Sequence, residues 1–119
     1  MGGMVILAAA GFLIHNIREF GLSGLFDSGT FTLPSLITFG GLFSTWATVP
    51  SMRRVITIAL LVWAALHLIG GAIISVLPLG FLPFVPEQTP EHYLSHAAYG
   101  VLQLPLIGLC IQTLRTRSP

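Results

Sequence analysis

Four polar residues in the stretch TPEHYLSHAAYGVLQLP, which begins at Thr89, are spaced as one helix face: His92, His96, Tyr99 and Gln103 stand at i, i+4, i+7 and i+11. Imidazole, phenol and carboxamide groups can bridge helices by hydrogen bonds. A neutral imidazole is also the commonest protein ligand for metals and haem iron. Two further histidines, His15 in LIHNIREF and His67 in LHLIGG, lie in other apolar runs. If one or more of the four binds a cofactor, haem or a chlorophyll-type pigment is the candidate, with Tyr99 and Gln103 beside it. Two axial ligands for haem need histidines at similar depth on different helices, and His15 with His96 is the best-matched pair. A pigment needs only one imidazole. The HYLSH spacing would let two imidazoles share a metal, but it lacks the glutamate that acts as base in HExxH, so no catalytic or metal site is assigned. The competing reading is that the polar stripe is interhelical glue, each bond contributing on the order of 0.6 to 2 kcal/mol in a bilayer.

The chain that must hold these groups is apolar. Of 119 residues, 54% are hydrophobic and 8% charged, with mean hydropathy +0.88, against roughly 25% charged in soluble domains. A membrane protein follows, with the lipid bilayer as its first partner. The five positive charges are arginines and the net charge is +1, which makes no basic surface for nucleic acid. Cys110 is the single cysteine, excluding an internal disulfide and a CxxC pair, and it reads as a small buried apolar residue. The amino-terminal apolar run has no basic residue before it, so it reads as a retained helix rather than a secretory signal.

A helix needs about 20 apolar residues to cross a bilayer. By that rule the spans are residues 3–20, 33–49, 55–77 and 90–114, an all-α antiparallel bundle of four transmembrane helices in a single domain. Pro50 should end the second helix, and Thr89, Pro90 and Glu91 form a helix start with N-cap, first-position proline and an acid near the positive dipole end. The loops carry Leu22, Leu25, Phe26 and Phe31, then four prolines and two phenylalanines, a composition suited to the headgroup region. Arg53, Arg54, Arg115 and Arg117 fall on one side of a four-span chain, so the positive-inside rule places both termini in the cytoplasm. Glu19, Asp27, Glu87 and Glu91 then lie at the outer face with Arg18. Arg18 and Glu19 read as interfacial anchors, or as part of a quinone, lipid or cofactor pocket. At a rise of about 1.5 Å per residue, His15 and His96 lie roughly 7 to 10 Å below that outer end, with His67 near the midplane. On the third helix Trp63, His67, Gly70 and Ile74 share a face.

Small residues mark close helix contacts in membranes: Gly40, Gly41, Ser44 and Thr48 on the second helix, Gly71 and Ser75 on the third. These faces serve either the bundle or a neighbouring subunit. With no P-loop, no acid in the membrane interior to couple protons and no charged ring or carbonyl filter, the reading leans away from an enzyme, exporter or ion channel. The simplest expectation is a small accessory or stabilising subunit of a larger membrane complex of the energy-transducing kind, respiratory or photosynthetic, with larger subunits as partners. The alternatives are a haem- or pigment-binding protein using its transmembrane histidines and a small transporter or enzyme handling a lipid or quinone.

Overall fold

A computed structural model describes residues 1–116; Arg117 lies outside the described residues. The chain is all-helical there, with no strand among the described residues. Its four α-helices are α1 (Gly2–Phe20), α2 (Thr32–Thr48), α3 (Arg53–Leu66) and α4 (Pro90–Thr116). The third does not stop at Leu66. It continues as a π-helix over His67–Ile73 and closes with a 3-10 turn over Ile74–Val76. Three helical stretches, Gly2–Phe20, Pro50–Val76 and Pro90–Thr116, are long and apolar enough to cross a membrane. α2 has 17 residues, about 25 Å of helix, and falls just short.

Local chemistry accounts for the boundaries. The Thr89 hydroxyl accepts the His92 amide at 3.3 Å and the Thr89 carbonyl accepts the Tyr93 amide at 3.0 Å, so α4 starts where a cap, a proline and an acid coincide. Val49 ends α2, and Pro50 opens a 3-10 turn that leads directly into α3. At that turn Arg53 lies over the Trp46 ring at 5.1 Å and donates to the Trp46 carbonyl at 3.2 Å, while Trp46 Nε1 donates to Thr57 Oγ1 at 3.2 Å. Between α1 and α2, Asn16 Nδ2 donates to Thr32 Oγ1 at 2.6 Å, and Phe31 reverses the chain at φ 53°. α4 runs unbroken through Pro105.

Neighbours in the chain are neighbours in space: α1 packs on α2, α2 on α3, α3 on α4 and α4 back on α1. The molecule is 47 Å long and 26 by 24 Å across. Its apolar core has two parts. Val5, Ala8, Phe39, Leu60, Ala64, Leu106 and Cys110 fill one, and Phe12, Ala72 and Tyr99 form the other beside the histidines.

Close approach between α1 and α4 depends on Gly11. A Cβ there would stand 2.8 Å from Leu102 Cδ1 and 2.9 Å from Leu102 Cβ, and at Gly100 a Cβ would stand 3.0 Å from Ala72 Cβ. Gly40 and Gly41 are exposed, with nothing within 4 Å of where a Cβ would sit. Gly11→Ala should therefore force α1 and α4 apart and lower stability by about 1–3 kcal/mol. Gly40→Ala, in an open helical position, should be neutral or stabilise by up to about 1 kcal/mol. Thermal unfolding of both variants in the same detergent measures the contrast.

Candidate functional site

α4 turns its polar stripe inward. Ser95, His96, Tyr99 and Gln103 are buried, and His92, nearer the helix start, is half-buried. In hydrocarbon such groups need partners within the protein, and each finds one on another element. Gln103 Nε2 donates to the Ala8 carbonyl of α1 at 3.0 Å. Tyr99 hydroxyl hydrogen-bonds His67 Nδ1 of the π-helix. His96 Nδ1 donates to the Gly71 carbonyl at 3.0 Å, and Ser95 Oγ lies 2.9 Å from His15 Nδ1 on α1. His92 Nδ1 donates to Glu19 Oε2 at 3.0 Å. All four histidines thus use Nδ1 in a contact between helices.

The rings form a continuous cluster. His15 and His96 meet edge to face at 4.3 Å between centroids, His92 lies 4.5 Å from His96, and His15 stacks on Tyr99 at 5.2 Å. His67 is walled by Phe12 at 4.6 Å and by Trp63 and Phe39, each at 5.1 Å. The π-helix explains how α3 takes part. Its wider turn places buried residues five apart, His67 and Ala72, so the face expected to continue from His67 through Gly70 instead continues through Gly71 and Ala72, and Gly70 is exposed. Single π-turns in helices are common at functional sites. Here the register brings the Gly71 carbonyl to His96, and the same carbonyl accepts from the Ser75 hydroxyl.

Beside the cluster lies a cavity of about 700 Å³ between the end of α1, the start of α4 and the two irregular loops. Its polar lining includes His15, His92, His96, Tyr99 and Asn16, with the carboxylates of Glu19, Asp27 and Glu87. Its apolar lining includes Phe12, Phe20, Phe31 and Phe84. A smaller cavity of about 210 Å³ adjoins it through Phe12, Phe31, Gly71 and Tyr99 and reaches His67 and Trp63. His15 is 8% exposed and His96 5%, yet Nε2 of each has no hydrogen-bond partner among the described residues. His92 Nε2 is fully buried and also without a partner.

The arrangement limits cofactors. Because the His15 and His96 rings touch, no porphyrin fits between them as a bis-axial pair. A haem in the cavity would bring its propionates to three acids with no arginine in the lining. These residues do not fit a haem. A pigment held by one imidazole asks only for a free Nε2, which His15 and His96 each have. Among the described residues, no group of three or more His, Cys, Asp or Glu is arranged to hold a metal ion.

Of the residues singled out by sequence, His15, His92, His96, Tyr99 and Gly71 come together at the large cavity, with Ser75 in its wall and His67 one layer away. Gln103 lies deeper, between α1 and α4, with its Oε1 buried and unpartnered. Gly40, Gly41, Ser44 and Thr48 lie on the exposed side of α2, away from the cluster. Sequence reasoning missed Ser95 and Asn16 as site residues. Ser95 and Asn16 each directly adjoin a histidine in the chain, and that adjacency was the available signal. Glu19, read as an interfacial anchor or part of a pocket, is the carboxylate paired with His92. Comparison of the chain with family models, curated proteins and solved structures gives no match.

Gly71 is sterically required here, since a Cβ would stand 2.8 Å from the Tyr99 hydroxyl. Gly71→Ala should lower stability by about 1–3 kcal/mol. Tyr99→Phe removes the atom that the new methyl group meets, so the double variant should lose less than the two single losses added. Unfolding midpoints of the four proteins in one detergent give that coupling.

Proposed function

We propose that this chain is a small four-span membrane protein, both termini cytoplasmic, that binds an amphipathic small molecule in the histidine-lined cavity at the outer end of its bundle. The topology is supported by charge: Glu19, Asp27, Glu87 and Glu91 flank the cavity end of the chain, whereas Arg53, Arg54 and Arg115 belong to the hairpin turn and the last helix turn. A length of 47 Å suits a bilayer of about 40–45 Å including headgroups. The short α2 completes the fourth span by local thinning or with its flanking apolar residues.

The observation that carries the binding function is the cavity of about 700 Å³, within the size range of small-molecule sites, next to buried imidazoles whose Nε2 atoms have no protein partner. Pure interhelical glue explains the Nδ1 bonds. It leaves the cavity and the second nitrogens unused. Of the functions open to the sequence, handling of a lipid comes nearest to this geometry.

Membership of a larger membrane assembly is a second reading, favoured by α2. Its exposed face carries Gly40, Gly41, Ser44 and Thr48, and the hydroxyls of Thr45 and Thr48 donate to the carbonyls of Gly41 and Ser44 at 2.9 and 2.8 Å. That leaves a flat face whose threonine hydroxyls are already satisfied, suited to another helix. A binding protein and a subunit are compatible roles.

Extraction from the native membrane into lipid nanodiscs, followed by an absorption spectrum and mass spectrometry of bound small molecules and co-purifying chains, tests the proposal. The expected result is a stoichiometric small molecule present in the wild type and lost in His96→Leu at unchanged helicity. A wild-type preparation with no small molecule, containing only larger partner chains, would refute the binding function and leave the subunit role.

A further inference from the structure

The hydrogen-bond partners around the cavity determine what it can accept. The Gly71 carbonyl is an acceptor only, so the proton of neutral His96 sits on Nδ1 and its Nε2 carries a lone pair. The Glu19 carboxylate imposes the same tautomer on neutral His92. The second ring nitrogen of each is therefore an acceptor; that of His96 lies beside the cavity and that of His92 is buried. The charged groups in the lining, Glu19, Asp27 and Glu87, are acceptors as well, and no arginine contributes; Arg18, next to Glu19 in the chain, does not line the cavity. An anionic lipid headgroup would meet carboxylates without a compensating cation. A quinone, whose carbonyls need donors, would meet a lone pair at His96. The complementary ligand brings N–H donors and positive charge, and the phenylalanines of the wall offer an apolar body contact area and a cation ring faces.

We infer that the cavity is a site for an amphipathic organic ammonium ion, its N–H groups donated to His96 Nε2 and the Glu19 carboxylate and its apolar part lying among Phe12, Phe20 and Phe84. This rests on the reading of the cavity as a small-molecule site and narrows it to one chemical class.

The test is equilibrium binding to the full chain in zwitterionic nanodiscs, corrected for empty nanodiscs, with four probes: tetradecylammonium, tetradecanol, tetradecyl sulfate and a decyl hydroquinone. Tetradecylammonium should bind saturably at one per chain and about tenfold or more tighter than the other three. Glu19→Gln keeps an acceptor for His92 Nδ1 while removing the charge, and it should weaken the ammonium by about tenfold with little change in unfolding temperature. Glu91→Gln, at the same end of the molecule but outside the cavity lining, should bind as the wild type does. If tetradecanol or the hydroquinone binds as tightly as the ammonium, or Glu19→Gln has no effect, the ammonium assignment is wrong while the cavity remains a binding site. If no probe binds saturably, the binding function fails with it.

Discussion

A polar side chain in hydrocarbon has no water to fall back on, and the half of this molecule at its acidic end is arranged around that constraint. Five polar residues of α4, from His92 to Gln103, each hydrogen-bond one of two other segments: Glu19, His15 and Ala8 on α1, His67 and Gly71 on the π-helix. Every one of these bonds joins elements distant in the chain. Individually each contributes on the order of 1 kcal/mol in a membrane. Together they specify rotation: turning α4 by one residue would present Leu94, Ala98 or Leu102 to the same acceptors and strand the imidazoles in lipid.

That division of labour separates the two halves of the fold. Toward the Arg53 end the core is apolar and ordinary, with Phe39, Leu60, Leu106 and Cys110 packed in one cluster and bonds from Trp46 to Thr57 and from Arg53 to Trp46 closing the hairpin. Toward the acidic end, aromatic rings and imidazoles replace aliphatic side chains and the loops stand apart enough to leave a cavity. The π-helix at His67–Ile73 is where the two regimes meet. An α-helical continuation would keep Gly70 on the buried face; the wider turn substitutes Gly71 and Ala72, and with them a carbonyl for His96 and space for the Tyr99 ring.

Much of the helical layout could be read from residue order, because its causes are local. Thr89, Pro90 and Glu91 begin α4, Pro50 follows α2, and apolar runs of the right length mark the long helices. The i, i+4, i+7, i+11 spacing on α4 also sufficed to show that its polar residues share a side. What it could not give was the direction of that side, since neighbouring helices set rotation. The same limit applies to small residues. Gly40 and Gly41 match a packing pattern yet face outward, whereas Gly11 and Gly100, which carried no such emphasis, stand where helices approach most closely. The π-register of α3 arises from tertiary contacts and has no sequence period to announce it. Nor could Glu19 be separated from a headgroup anchor until His92, 73 residues away in the chain, was placed beside it.

The histidine cluster is tied to the bundle through Nδ1, and His96 presents a bare Nε2 beside the cavity. Nitrogen-15 NMR of the protein labelled in its imidazole rings, in bicelles near neutral pH and without added ligand, reads this directly. His96 should show a protonated Nδ1 and a pyridine-type, lone-pair-bearing Nε2. Protonated Nε2 with a bare Nδ1 at His96 would break the bond to Gly71, and with it the arrangement on which the cavity's chemistry depends.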